Sequence, residues 1–181
     1  MKKNSENDPV VMEVNRRRFL QVAALGGVSL LVATPSWLPE AKAAGGTDAL
    51  LLSCMDYRLM DDVGRYMTDR GMRKKYDHVI LAGASLGAIT DKYPAWGTTF
   101  WEHLDIAIKL HNIHTVIVMD HRDCGAYKVI LGAEHAKDSK IEKETHAAQL
   151  KKLKAMISQK CPKLKVETLL MALDGKVELI G

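Results

Sequence analysis

The stretch Thr115-Val116-Ile117-Val118-Met119 constrains the fold more than any other. Its first four residues are β-branched and its last four strongly apolar, so it predicts a strand covered on both faces. Leu50-Leu51-Leu52-Ser53 and His78-Val79-Ile80-Leu81-Ala82 predict two further buried strands. Between them, Leu59 to Arg70 carries Leu59, Val63 and Met67 at four-residue spacing, and Thr99 to Leu110 carries Leu104, Ala107 and Ile108. Both predict amphipathic helices. Strands alternating with helices imply an α/β fold, a mostly parallel sheet with right-handed helical crossovers. Gly83 to Gly87 closes the second strand, its glycine pair expected to admit a tight turn or a close backbone approach, and Gly132 to Lys140 is expected to be loose. A helix is expected over Lys143 to Ile157. A strand over Val166 to Leu173, a turn at Asp174-Gly175 and a short strand over Lys176 to Ile180 are expected to follow.

The first 43 residues read differently. Arg16, Arg17 and Arg18 precede Phe19-Leu20 and an uncharged stretch from Val22 to Leu38, and Ala41-Lys42-Ala43 is a small-x-small cleavage pattern. This predicts a signal peptide over 1–43 resembling the twin-arginine type. The expectation is export of a folded domain, residues 44–181, to the periplasm by the twin-arginine machinery. The apolar run falls short of the roughly 20 residues that span a bilayer, so no stable membrane insertion is expected after cleavage. Six of the chain's 26 basic and four of its 22 acidic residues lie before residue 44, leaving 20 and 18. So balanced a charge argues against nucleic acid as a partner.

Cys54-x-Asp56-x-Arg58 stands at the tip of the first strand, and His121-Arg122-Asp123-Cys124 follows the third. In an open parallel sheet both tips reach the carboxyl edge, where sites form. Two thiolates and an imidazole predict a tetrahedral Zn2+ site of Cys54, His121 and Cys124, with the fourth position open to water or to Asp56. The competing reading is a Cys54–Cys124 disulfide, since an exported protein with Cys54, Cys124 and Cys161 sits in an oxidising compartment.

Cys54-Met55-Asp56-Tyr57-Arg58 and His121-Arg122-Asp123-Cys124-Gly125-Ala126 resemble the two metal motifs of the beta-class carbonic anhydrases. The likeness extends over most of 49–181 and includes the segment before the third strand and the closing hairpin. It implies zinc held by Cys54, His121 and Cys124, and an Asp56–Arg58 pair that orients the attacking hydroxide during reversible hydration of carbon dioxide to bicarbonate. It also implies a closed form in which Asp56 leaves Arg58 and becomes a zinc ligand. The family works as a homodimer or higher homo-oligomer in which the partner completes the cleft. Asp120 stands where the family commonly has Gly, which is expected to place an added charge beside the metal shell.

Other functions consistent with the motifs are hydrolysis of carbonyl sulfide or carbon disulfide at the same metal, and a non-catalytic zinc-binding interaction module. His78, His103 and Asp123 are the candidates for carrying the proton away. Trp96, Phe100 and Trp101 are open to cleft, seam or core.

Overall fold

The computed structural model describes residues 46–181, so the signal-peptide reading of 1–43 lies outside the described residues. Five strands form one sheet. β1 is Ala49–Ser53, β2 Tyr76–Ile80, β3 Thr115–His121, β4 Lys165–Met171 and β5 Val177–Leu179, in the spatial order β2-β1-β3-β4-β5. The first four are parallel and β5 returns antiparallel on β4. The helices are α1 Met60–Asp69, α2 Ala84–Ile89, α3 Pro94–His111, α4 Gly125–Leu131 and α5 Ser139–Lys160. No helix among the described residues is long and apolar enough to cross a membrane.

Pleat alternation divides the central strands between two cores. Leu50, Leu52, Val116, Val118 and Leu170 face one side, where Phe100 and Leu104 of α3 and Leu150, Leu153 and Ile157 of α5 cover them. Ala49, Leu51, Ile117, Met119, Leu169 and Met171 face the other, closed by Leu59 and by Val63 and Met67 of α1. Burial on both faces explains why the strands read as continuous apolar runs instead of alternating ones.

Four expectations shift. β2 ends at Ile80, and the glycine segment is the helix α2. Gly83, at φ +76°, turns the chain into it. Gly87 is needed because a Cβ there would overlap the carbonyl of Ala82. β3 runs two residues beyond Met119, because Asp120 and His121 continue the ladder opposite Leu170 and Met171. α3 begins five residues early, with Pro94 in its first turn, where the missing N–H is no loss. α5 begins at Ser139, because Asp138 caps it by accepting from the N–H groups of Lys140 and Ile141.

Gly87→Ala is expected to destabilise the fold by about 1–3 kcal/mol, since the obstructing atom is backbone and cannot rotate away. A urea titration reads this as a lower midpoint with an unchanged slope. An unchanged midpoint would show that the approach of α2 to Ala82 is not tight.

Candidate metal centre

Cys54 follows the last residue of β1, His121 is the last residue of β3, and Cys124 immediately precedes α4. β1 and β3 are neighbours in parallel register, Ser53 opposite Met119, so their carboxyl ends deliver these side chains to one place. One ligand atom from each of Cys54, His121 and Cys124 lies within 4.8 Å of the other two, the metal-compatible group among the described residues. The two sulfurs are 3.9 Å apart and both cysteines are free thiols. A disulfide would need about 2.05 Å. Two metal–sulfur bonds of about 2.3 Å at a tetrahedral angle span about 3.8 Å, so the spacing suits zinc.

The imidazole fits the same use. His121 Nδ1 lies 2.8 Å from the carbonyl oxygen of Arg122, so Nδ1–H donates there and the lone pair falls on Nε2. Nε2 is buried and has no hydrogen-bond partner. An orphaned acceptor beside two thiols is costly unless a cation takes it up. The thiols are themselves polarised. Cys54 Sγ lies within reach of the Cys124 thiol and accepts from Gly83 N–H at 3.3 Å. The bond from Cys124 is the largest of the effects that push Cys54 well below the ordinary thiol range, while that same hydrogen bond, then burial and the charge on Cys54, push Cys124 up.

Asp56 lies beside this group. Its Oδ1 accepts from Arg58 N and Nε at 3.0 and 2.9 Å, and its Oδ2 accepts from Arg58 Nη2 at 2.8 Å. Arg58 also donates to Asp123, through Nη1 to Oδ2 at 2.8 Å and through Nη2 to the carbonyl at 3.0 Å. The side-chain bonds from Arg58 hold the Asp56 carboxyl down to about 2. Asp56 Oδ2 is 3.8 Å from His121 Nε2, so the carboxylate borders the ligand group while engaged by Arg58.

Above these residues opens a cavity of about 290 Å³, floored by Cys54 and Asp56 and walled by Met55, Trp96, Val129 and Ile130. Trp96 stacks on Tyr93 at 4.2 Å. Phe100 is instead buried in the core, and Trp101 packs on its edge beneath Lys160. Of the proton-carrier candidates, Asp123 reaches the site through Arg58. His78 and His103 line a separate groove between β2 and α3.

Asp120 gives its carboxylate to donors on α2, α4 and α5. His121 follows the pleat to the α1 side, so Asp120 points to the opposite side and is fully buried there. Sequence reasoning also misses Glu142, on the first turn of α5. Its Oε1 accepts from Asp123 N–H at 2.6 Å and its Oε2 from Arg122 at 3.1 Å, fixing the loop between His121 and Cys124. The sole sequence signal is an acidic residue near a helix start, which is too common to single out.

A parallel sheet with a Cys/His/Cys group at its carboxyl edge places the protein with the β-carbonic anhydrase fold. The profile described as putative carbonic anhydrase matches residues 44–181, and the chain belongs to that family. An uncharacterized protein of Rickettsia conorii is 44% identical over 139 residues, covering 77% of this chain and 75% of the relative. The β-carbonic anhydrase CafA of Aspergillus fumigatus superposes with TM-score 0.50 at 14% identity, over 80% of each chain. The Coccomyxa beta-carbonic anhydrase in complex with acetazolamide gives 0.50 at 12% identity, over 91% of this chain and 82% of that one. At such identities these two structures speak to the fold.

Proposed function

We propose that the protein is a zinc-dependent carbonic anhydrase that converts carbon dioxide and water reversibly to bicarbonate and a proton. The observation that carries this is the unpartnered His121 Nε2 facing two cysteines, with the Asp56–Arg58 pair alongside and a cavity above. Cys54, His121 and Cys124 hold the metal. Bound zinc supplies a Lewis acid that makes water nucleophilic near neutral pH. Asp56 Oδ2 accepts the hydrogen of the attacking oxygen and so aims its lone pair at the carbon of carbon dioxide. Arg58 keeps that carboxylate in its acceptor state, and Asp123 keeps Arg58 from turning away. Met55, Trp96, Val129 and Ile130 admit an apolar gas and limit the water that competes for it. The same carboxylate is the candidate fourth ligand of a closed form, since Oδ2 already lies near Nε2.

The test is stopped-flow hydration of carbon dioxide by residues 44–181 with zinc content established on the same sample. The expected result is turnover far above buffer that disappears on chelation and returns with zinc. Zinc-loaded, folded protein without turnover sinks the reading. The apolar walls favour one second substrate class, carbonyl sulfide or carbon disulfide, and release of hydrogen sulfide in the same sample would establish it. The non-catalytic zinc-binding module is the reading that zinc-loaded, folded protein without turnover would favour.

Residues 1–43 are proposed to send the folded domain to the periplasm by the twin-arginine route. Retention in the cytoplasm of wild type, or export of an Arg16→Lys/Arg17→Lys variant, would refute it. A homodimer is proposed to cover the cavity mouth, where Met55 is 62%, Tyr57 86% and Val129 60% exposed. A monomeric mass by light scattering at micromolar concentration would refute that.

A further inference from the structure

Asp120 is a fully buried carboxylate with four donors. Its Oδ1 accepts from Ser85 N–H at 2.9 Å. Its Oδ2 accepts from Ser85 Oγ at 2.7 Å, from the Tyr127 hydroxyl at 2.5 Å and from His146 Nδ1 at 3.0 Å. Ser85, Tyr127 and His146 are themselves completely buried. A carboxylate has about four lone-pair sites, and four donors reach this one, three of them at Oδ2. Its partners lie on three different helices, α2, α4 and α5.

Two of those helices begin beside the cysteines. Gly83, which leads into α2 two residues before Ser85, donates to Cys54 Sγ at 3.3 Å. Cys124 is the residue immediately before α4, so the start of that helix sets where its sulfur lies. The two helix starts also touch, since a Cβ on Gly83 would lie 3.2 Å from the Cβ of Ala126. Asp120 is therefore bonded to the helix that Gly83 leads into and to the helix that Cys124 leads into, from the strand that also carries His121.

We infer that Asp120 is a positioning residue that pins α2 and α4 so that Gly83 directs its N–H at Cys54 and Cys124 is held beside it. It acts on the metal through the sulfurs, and without it both helix starts drift. This rests on the proposed zinc centre for its consequence, though the pinning itself does not require metal. Hydrogen bonds to ligand atoms fix their orientation and typically alter metal affinity by about 10- to 100-fold when lost.

The test compares wild type, Asp120→Asn and Thr168→Val in two measurements. Thr168 is buried on β4 and donates to the carbonyl of Ile180, away from the site, so its loss serves as a control for destabilisation alone. In the metal-free protein, NMR amide exchange at Gly83 is expected to accelerate at least about tenfold in Asp120→Asn and to stay at the wild-type rate in Thr168→Val. Zinc affinity by chelator competition is expected to weaken by about 10- to 100-fold in Asp120→Asn alone. Unchanged exchange at Gly83 in folded Asp120→Asn overturns the inference, as does an equal effect in Thr168→Val. Should Asp120→Asn not fold, Tyr127→Phe removes one donor and leaves the ring. Since that hydroxyl also bonds Ser85 Oγ, the variant is expected to accelerate the Gly83 amide, and wild-type exchange there overturns the inference. If wild type itself binds no zinc, the zinc reading fails while the amide exchange still decides the pinning.

Discussion

Cys124→Ala is expected to bring zinc from about one per chain to less than about a tenth, with carbon dioxide hydration falling to the buffer rate. Three protein atoms converge on the site, and removing one leaves a two-ligand site at the floor of an open cavity. The substitution is small in volume and caps no helix through its side chain, so the fold should persist. Circular dichroism and metal analysis of one preparation separate loss of metal from loss of structure. Folded Cys124→Ala that retains stoichiometric zinc would remove Cys124 from the ligand set.

Asp56→Asn is expected to keep its zinc while turnover falls by about 10²-fold with little change in KM. The amide keeps the shape of the carboxylate but offers Arg58 one acceptor where the carboxylate offers two, and it presents an N–H that cannot accept from the attacking oxygen. The pH dependence follows from the same pair. Arg58 holds the Asp56 carboxyl at about 2. A carboxyl lowered in this way has its full ionic pairing above its ordinary range, and loses it only as pH falls through the lowered value. The ratio of wild-type to variant turnover should therefore be flat from about pH 5 to about pH 9. Parent-level turnover in Asp56→Asn refutes the aiming role, and a ratio that collapses within that range refutes the hold by Arg58.

Much of the centre is legible in the sequence because it is built from short-range relations. Asp56 and Arg58 are two residues apart and meet within one turn of chain. Cys54 and His121 follow apolar runs whose burial on both faces forces neighbouring parallel strands, so their tips converge. Asp138 caps α5 by a local bond, yet the segment before it reads as loose, because charged residues with weak periodicity mask a helix start. The helix α4 gives no periodic signal in seven residues with β-branched Val129 and Ile130, and forms where Tyr127 is anchored from β3.

The apolar strands, the alternation with helices and the ligand residues are properties of the chain alone, because burial period and donor chemistry are set residue by residue. The direction of Asp120 and the reach of Glu142 to Asp123 belong to the tertiary structure. Asp120 faces the helices because β3 continues past Met119, and it continues because Leu170 and Met171, fifty residues along, extend β4 beside it. Glu142 meets Asp123 only once α5 has packed against the sheet. Each depends on a partner distant along the chain, so neither leaves a local pattern.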